Sequence, residues 1–307
     1  MKTTRLTGAH VHSLILPRRK DSNKGDYGRV LIIAGSKGMT GAAVLCAAGA
    51  LRSGAGLVTV AVPQSVQAVV AAQLHPEAMI LGLAETKSGM ISPAALADIF
   101  RCIDEKQITA VVVGPGIGLY REMTGLIKDI LQNITLPVVL DADAINAFSR
   151  LRENHGFAIP ALKGTAAQVI VTPHPGEMSR LTGISVDVIQ SDRPAVARRF
   201  AVENGIVCVL KGYRTVVADG GRILINSTGN PGMATGGAGD VLAGVIGGLI
   251  AQVKEPCLFN AAAAGVYVHG LAGDKAANCR GQRGLLAGDI AENLPYVLKE
   301  VSSHAAK

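Results

Sequence analysis

Six short runs that are apolar on both faces, residues 30–34, 58–62, 110–113, 138–140, 169–171 and 207–210, constrain this chain more than any other feature. A half-buried strand alternates apolar and polar residues, whereas a run that is apolar throughout must be covered on both sides, as in a mostly parallel sheet. Helix-length segments separate these runs, among them residues 41–53, 93–105, 122–132 and 193–204. The repeated order of strand then helix predicts a doubly wound α/β fold, with helices on both faces of a mostly parallel central sheet and ligands held beyond the carboxyl ends of its strands. Past residue 210 the rhythm breaks. Residues 215–218 and 222–225 flank Asp219-Gly220-Gly221, a composition suited to a tight reversal, and predict an antiparallel hairpin at the sheet edge. Three helices are expected after it, residues 240–252, 257–277 and 285–301, and no further strand. No linker, repeat or low-complexity tract divides the chain, so residues 1–307 are read as one domain.

With 49% apolar and 17% charged residues, the chain has material for a large core and is far from a disordered composition. The longest apolar stretch, residues 241–251, contains Gly244, Gly247 and Gly248 and falls well short of the ~20 residues that span a bilayer. Residues 1–17 lack a sustained apolar segment ending at a small-residue cleavage site, so secretion is not expected. Five cysteines, Cys46, Cys102, Cys208, Cys257 and Cys279, are scattered without a CxxC pair and read as reduced core residues of a cytoplasmic protein. A net charge of +7 suits nucleic acid, an anionic small molecule or simply a solvated basic surface. An aromatic content of 3% and the lack of any single-strand-binding motif argue against nucleic acid.

Four glycine-bearing loops sit where strands hand over to helices or turns, and they carry weight only together. Gly35-Ser36-Lys37-Gly38-Met39-Thr40-Gly41 lacks GxGxxG spacing, and Pro63-Gln64 stands where a dinucleotide site needs a ribose-binding acid, which disfavours a Rossmann NAD site. No GxxxxGK[ST] occurs, so the chain is not a Walker-type hydrolase. Gly114-Pro115-Gly116-Ile117-Gly118 either lets a ligand approach bare backbone or is a tight turn. In Thr172-Pro173-His174-Pro175-Gly176-Glu177 two prolines stiffen a strand end that presents His174 and Glu177. His174 fits a satisfied structural histidine as well as a functional one. The fourth loop, Asn230-Pro231-Gly232-Met233-Ala234-Thr235-Gly236-Gly237-Ala238-Gly239-Asp240, runs into an apolar helix. Its glycines let successive N–H groups converge at a helix N-terminus, where the dipole favours an anion: a phosphate cradle. Asp240 has the ordinary reading of an N-cap there. A carboxylate beside a phosphate is electrostatically costly, however, which favours a catalytic purpose.

At these residues the chain resembles a known family. Residues 236–252 are similar to the anion-hole signature of the ribokinase-like superfamily. Residues 24–35, 114–118, 141–147, 172–177, 210–215, 226–252 and 261–277 together resemble the ADP-dependent NAD(P)H-hydrate dehydratases, bacterial cofactor-repair enzymes, and the likeness runs from residue 24 to 295. The resemblance implies return of the S-epimer of hydrated NADH or NADPH to the normal cofactor, with ADP converted to AMP and phosphate. It implies that Ala42, Gly116, Gly118, His174 and Asp240 contact the hydrated cofactor, with Asp240 catalytic. It assigns the adenine nucleotide to Lys211, Gly212, Tyr213, Arg214 and Thr215 together with Gly237, Ala238 and Gly239. Glu177 stands where related kinases keep an acid that organises Mg2+ through water. A cytoplasmic homo-oligomer, a tetramer, is implied, with no nucleic-acid or membrane partner. Some two dozen residues precede Lys24, so the NAD(P)H-hydrate epimerase found with this activity is expected as a separate chain.

The residues suit this chemistry. Loss of water from a hydrated nicotinamide needs its ring hydroxyl made a good leaving group, which phosphorylation achieves. Asp240 would take the hydroxyl proton while the N–H groups of residues 238–240 and magnesium stabilise the spreading charge. Two other readings stand beside it: a kinase of the same superfamily that releases a phosphate ester, and a nucleotide sensor without turnover, against which Asp240 argues.

Overall fold

A computed structural model describes residues 3–15, 17–149 and 157–303; residues 1, 2 and 16 of the N-terminal stretch weighed as a leader lie outside them. The six doubly apolar runs form strands: β2 (Arg29–Ile33), β3 (Leu57–Pro63), β5 (Ala110–Val113), β6 (Pro137–Leu140), β7 (Gln168–Val171) and β8 (Val207–Leu210). The hairpin is β9 (Val216–Ala218) and β10 (Ile223–Ile225), paired antiparallel. Two strands escaped the sequence pattern. Beside β3 lies β4 (Met79–Leu83), only part-buried and interrupted by Gly82, and β1 (Thr4–Arg5) is two exposed polar residues that add parallel to β10. All ten form one sheet in the order β1-β10-β9-β8-β7-β6-β5-β2-β3-β4.

Strand residues divide strictly between the faces, as the two-residue period of a strand demands. Val30, Ile32, Val112, Val139, Ile170 and Val209 face α2 (Thr40–Arg52), α3 (Gln67–Ala71), α10 (Ala238–Ala251) and α11 (Leu258–Arg280). Leu31, Ile33, Val111, Val138, Val169 and Leu210 face α4 (Leu96–Glu105), α5 (Met123–Asn133), α6 (Asp143–Ser149), α7 (Pro175–Thr182), α8 (Val186–Ser191) and α9 (Arg193–Asn204). A third cluster packs α1 (Gly8–His12) and α12 (Ala287–Ser303) onto α10 and α11. Among the described residues no helix is long and apolar enough to cross a membrane. Cys46, Cys102 and Cys208 are buried as expected, whereas Cys257 and Cys279 are exposed: each lies at an end of α11, beyond the helix's buried face.

Two features of this architecture place the site. The chain runs from β2 outward through β3 and β4, then returns to the other side of β2 as β5, so β2 and β5 flank the point where strand order reverses. Crevices at such points receive ligands in open α/β sheets. Beyond β5, the backbone ladder continues one residue past each strand: Asp141 N–H donates to Val113 O, Thr172 N–H to Leu140 O and Lys211 N–H to Pro173 O. Residues 141, 172 and 211 therefore stand side by side on the carboxyl rim.

Candidate active site

The loops after β2 and β5 meet across the switch point. Gly35 N–H donates to Pro115 O at 2.8 Å and Ser36 Oγ to Gly116 O at 2.8 Å. A Cβ at Gly116 would lie 2.8 Å from the Ala42 methyl and 3.0 Å from Met39 O, so these two predicted cofactor contacts are neighbours and the position admits only glycine. Gly118 donates its N–H to Asp143 Oδ2 at 2.9 Å. One turn after Ala42, Leu45 fills the space that a side chain at Gly237 would need, so α2 ties the crevice to the glycine loop before α10.

The turn after β7 folds as the first turn of α7. His174 is the N-cap, Pro175 takes the first helical position where no N–H is missed, and Glu177 returns its carboxylate to the His174 N–H at 2.7 Å. His174 Nδ1 accepts the N–H groups of Gly176 (3.0 Å) and Glu177 (3.3 Å). A ring nitrogen that accepts two N–H bonds carries no proton, so the proton sits on Nε2, 3.5 Å from Glu177 Oε1. Burial and then the charges of Lys211 and Arg180 lower the His174 pKa, keeping the ring neutral. The structural reading of His174 is realised, since Nδ1 caps the helix; the side chain is half-exposed, with Nε2 turned toward Glu177.

Behind it lies a buried charge cluster. Lys211 Nζ donates to Asp141 Oδ1 at 2.6 Å and lies 3.8 Å from Glu177 Oε2; Thr172 Oγ donates to the same Asp141 oxygen at 2.6 Å. Burial works against the Lys211 ammonium, yet the Asp141 and Glu177 carboxylates more than offset it and raise its pKa. Neither Asp141 nor Thr172 was assigned a role from sequence. The signal was available: each is a polar residue directly after a buried strand, in line with Lys211. Ala142, between Asp141 and Asp143, has φ +49°, a conformation costly for a residue with a side chain and found chiefly where a site imposes it.

The fourth loop ends against this cluster. Gly237, at φ +88°, is the N-cap of α10, and the helix begins at Ala238. Asp240 is therefore the third helical residue, and its reading as an N-cap is corrected: a left-handed glycine starts the helix with no side-chain cap. The first N–H groups of a helix have no carbonyl above them. Gly239 presents its Cα 's missing side-chain position 3.2 Å from Lys211 Nζ and 3.7 Å from Asp141 Oδ2, so the open helix end and the buried cation share one site. Burial first, then the Asp141 charge, pushes the Asp240 carboxyl up to about 7, against the opposing pull of Lys211. Glu177 is also pushed up to about 7, by burial and by Asp141, with Lys211 opposing. Two carboxyls that titrate near neutrality thus flank one buried ammonium, an arrangement suited to proton transfer beside an anion.

Residues 211–215 turn from this cluster toward a cavity of about 350 Å³. Tyr213 and Arg214 line it with Arg5, Asn226 and Thr228; Thr215 closes the turn onto Gly212 O at 3.0 Å. Its lining does not include Lys211 or Asp240. Two continuous segments connect them, one through Gly212 and one through Asn230, so a ligand reaching from cavity to cradle would follow both loops. Among the described residues no group of three His, Cys, Asp or Glu side chains is arranged to hold a metal ion.

Known proteins resemble this chain in sequence and in fold. The family model described as NAD(P)H-hydrate dehydratase matches residues 30–296. The bifunctional NAD(P)H-hydrate repair enzyme Nnr of Moorella thermoacetica is 44% identical over 297 residues, 96% of this chain and 54% of that protein. The ADP-dependent (S)-NAD(P)H-hydrate dehydratase of Neisseria meningitidis serogroup B is 40% identical over 278 residues, 89% of this chain and 86% of that one. The chain spans about half the length of the bifunctional relatives it matches. The crystal structure of the ADP/ATP-dependent NAD(P)H-hydrate dehydratase of Bacillus subtilis, co-crystallised with ATP/Mg2+, superposes with a TM-score of 0.82 at 31% identity, covering 98% of this chain and 99% of that one. The fold is ribokinase-like.

Proposed function

The chain belongs to the NAD(P)H-hydrate dehydratase family, and on that premise we propose that it dehydrates the S-epimer of hydrated NADH or NADPH at the expense of ADP, giving NADH or NADPH, AMP and phosphate. The observation that carries the reading is the carboxyl of Asp240, pushed up to about 7 and set in the first turn of α10, whose open N–H end abuts Lys211. The hydrated nicotinamide lies over the surface where Ala42 meets Gly116, with Gly118 and His174 Nε2–H on its polar edge. ADP runs along residues 211–215 with its terminal phosphate on Gly237, Ala238 and Gly239.

Asp240 takes the proton of the ring hydroxyl as that oxygen attacks the terminal phosphorus; the bond to AMP breaks and AMP leaves. The N–H groups of α10 and the Lys211 ammonium stabilise the charge that spreads over the phosphoryl oxygens. The nitrogen lone pair of the ring then expels phosphate, and the departing phosphate takes a proton from the neighbouring ring carbon as the double bond is restored. The leaving group departs as an anion, so no further protein acid is needed.

Magnesium, when bound with the nucleotide, supplies positive charge to the phosphates. The residues fit it through water: one Glu177 oxygen is taken by the His174 N–H and the other faces the imidazole, which suits an outer-sphere role. A cytoplasmic tetramer that works alongside an NAD(P)H-hydrate epimerase completes the proposal. The decisive experiment incubates the protein with hydrated NADH and either ADP or ATP, following nicotinamide absorbance, AMP and phosphate. Recovery of absorbance with stoichiometric phosphate is expected; a phosphate ester that accumulates would assign a kinase instead.

A further inference from the structure

Arg193 is the first residue of α9, and its side chain leaves that helix to grip the loop after β8. One terminal nitrogen donates to Leu210 O at 2.8 Å and the other to Tyr213 O, so two bonds bracket Lys211 and Gly212. Its Nε is buried without an acceptor, and burial lowers the pKa of the guanidinium. A residue serving only to begin a helix would avoid burying an unbonded donor. The loop it grips also needs holding: Gly212 has φ +138° and Arg214 φ +59°. Such conformations persist only where the surroundings impose them. A Cβ at Gly212 would lie 3.1 to 3.3 Å from three guanidinium atoms, so the loop backbone lies directly on Arg193.

We infer that Arg193 is a positioning residue for the nucleotide: by holding the carbonyls of Leu210 and Tyr213 it fixes the turn that lets Tyr213 and Arg214 line the cavity. The inference rests on the reading that this loop holds ADP. The Lys211 ammonium is held separately by Asp141 and Glu177, so loss of the Arg193 grip falls on nucleotide affinity and leaves the chemical step nearly unchanged. A loop ordered before binding loses less freedom on binding, and the gain appears in the dissociation constant.

The test compares the full chain with R193Q, R193K and R198Q, the last altering an exposed arginine on the same helix. Calorimetric titration with ADP and magnesium and steady-state turnover of hydrated NADH are measured for each. R193Q is expected to raise the Kd and KM for ADP about tenfold, with kcat within about twofold and the KM for hydrated NADH unchanged. R193K, able to reach one carbonyl, should fall between, and R198Q should match the parent. Wild-type ADP affinity in R193Q, or a fall in kcat with an unchanged KM for ADP, overturns the inference. Should R193Q not fold, amide exchange in R193K decides: faster exchange at residues 212–215 with α10 unaffected supports it, and unchanged exchange overturns it. If the parent protein itself does not bind ADP, the functional reading falls along with this one, which separates the two failures.

Discussion

Asp240 carries a charge it holds reluctantly, and the consequence can be measured in both rate and stability. Its pKa is raised from 3.8 in the unfolded chain to about 7, so the folded state binds that proton more tightly than the unfolded state does. Ionised Asp240 therefore destabilises the fold, progressively as pH rises from about 4 to about 7 and fully above that. Asp240→Asn should melt higher than the parent at pH 8, and the advantage should vanish as pH falls toward 4. The same variant should bind ADP at least as well and lose ~10²-fold or more in turnover, the low end of a positioned base's contribution. Turnover within a few-fold of the parent would remove Asp240 from catalysis. In the parent, kcat/KM should rise with pH through about 7, a limb that belongs to Asp240 and Glu177 as a coupled pair. His174 offers a cleaner separation, because Asn caps a helix as well as any residue. His174→Asn should keep the melting temperature and raise the KM for hydrated cofactor; an unchanged KM would leave only the capping role. His174, Glu177 and Asp240 are legible in the sequence as chemistry at strand or helix ends and Lys211 through the family resemblance; Asp141 also follows a strand directly, but its role shows only beside its partner 70 residues away.

Helix α10 was recognised from its apolar run, but its start was placed two residues late, because a glycine N-cap gives no polar signal. What fixes the direction of α10 is close contact with α2. A Cβ at Gly244 would fall 1.9 Å from Cys46 O, and one at Gly49 2.3 Å from Val241 O, so the two backbones touch with no side chain between them. Gly244→Ala cannot be absorbed by a rotamer change and should cost at least ~1–3 kcal/mol, the range of overpacked cores. Because α10 carries the cradle and α2 carries Ala42, the same variant should weaken nucleotide and cofactor binding together. Circular dichroism melts with ADP titrations check both, and a melt that overlays the parent's would show that the helices slide apart freely. The missed strand β4 has a similar origin to the misplaced helix start: Gly82 interrupts its apolar pattern, although a side chain there would strike Gln64.

At the scale of the molecule, the proposed function puts one substrate at the switch point between β2 and β5 and the other on the rim beyond β6, β7 and β8. Saturating ADP with magnesium should raise the melting temperature, since a ligand at 100 times its Kd adds about 2.7 kcal/mol to the native state. No shift with either ADP or ATP would refute the nucleotide site, and Lys211→Met should reduce the shift. Nucleic acid should give at most weak binding that salt abolishes.

Periodicity and punctuation are local properties, and they were enough to give the doubly apolar strands, the helices between them, the hairpin and the glycine loops at strand ends. The parallel sheet follows from them, because strands without a polar face must be covered twice. Which loops lie together does not follow, since the same strand sequence permits other orders. Only the folded chain puts Asp141, Thr172 and Lys211 in one row, sets Gly239 against the buried ammonium, seats β1 on β10 and lays the loop of residues 211–215 on Arg193. The carboxyls of Asp240 and Glu177 shift for the same reason: burial and neighbouring charge belong to the surroundings that tertiary structure assembles, and no stretch of sequence contains them.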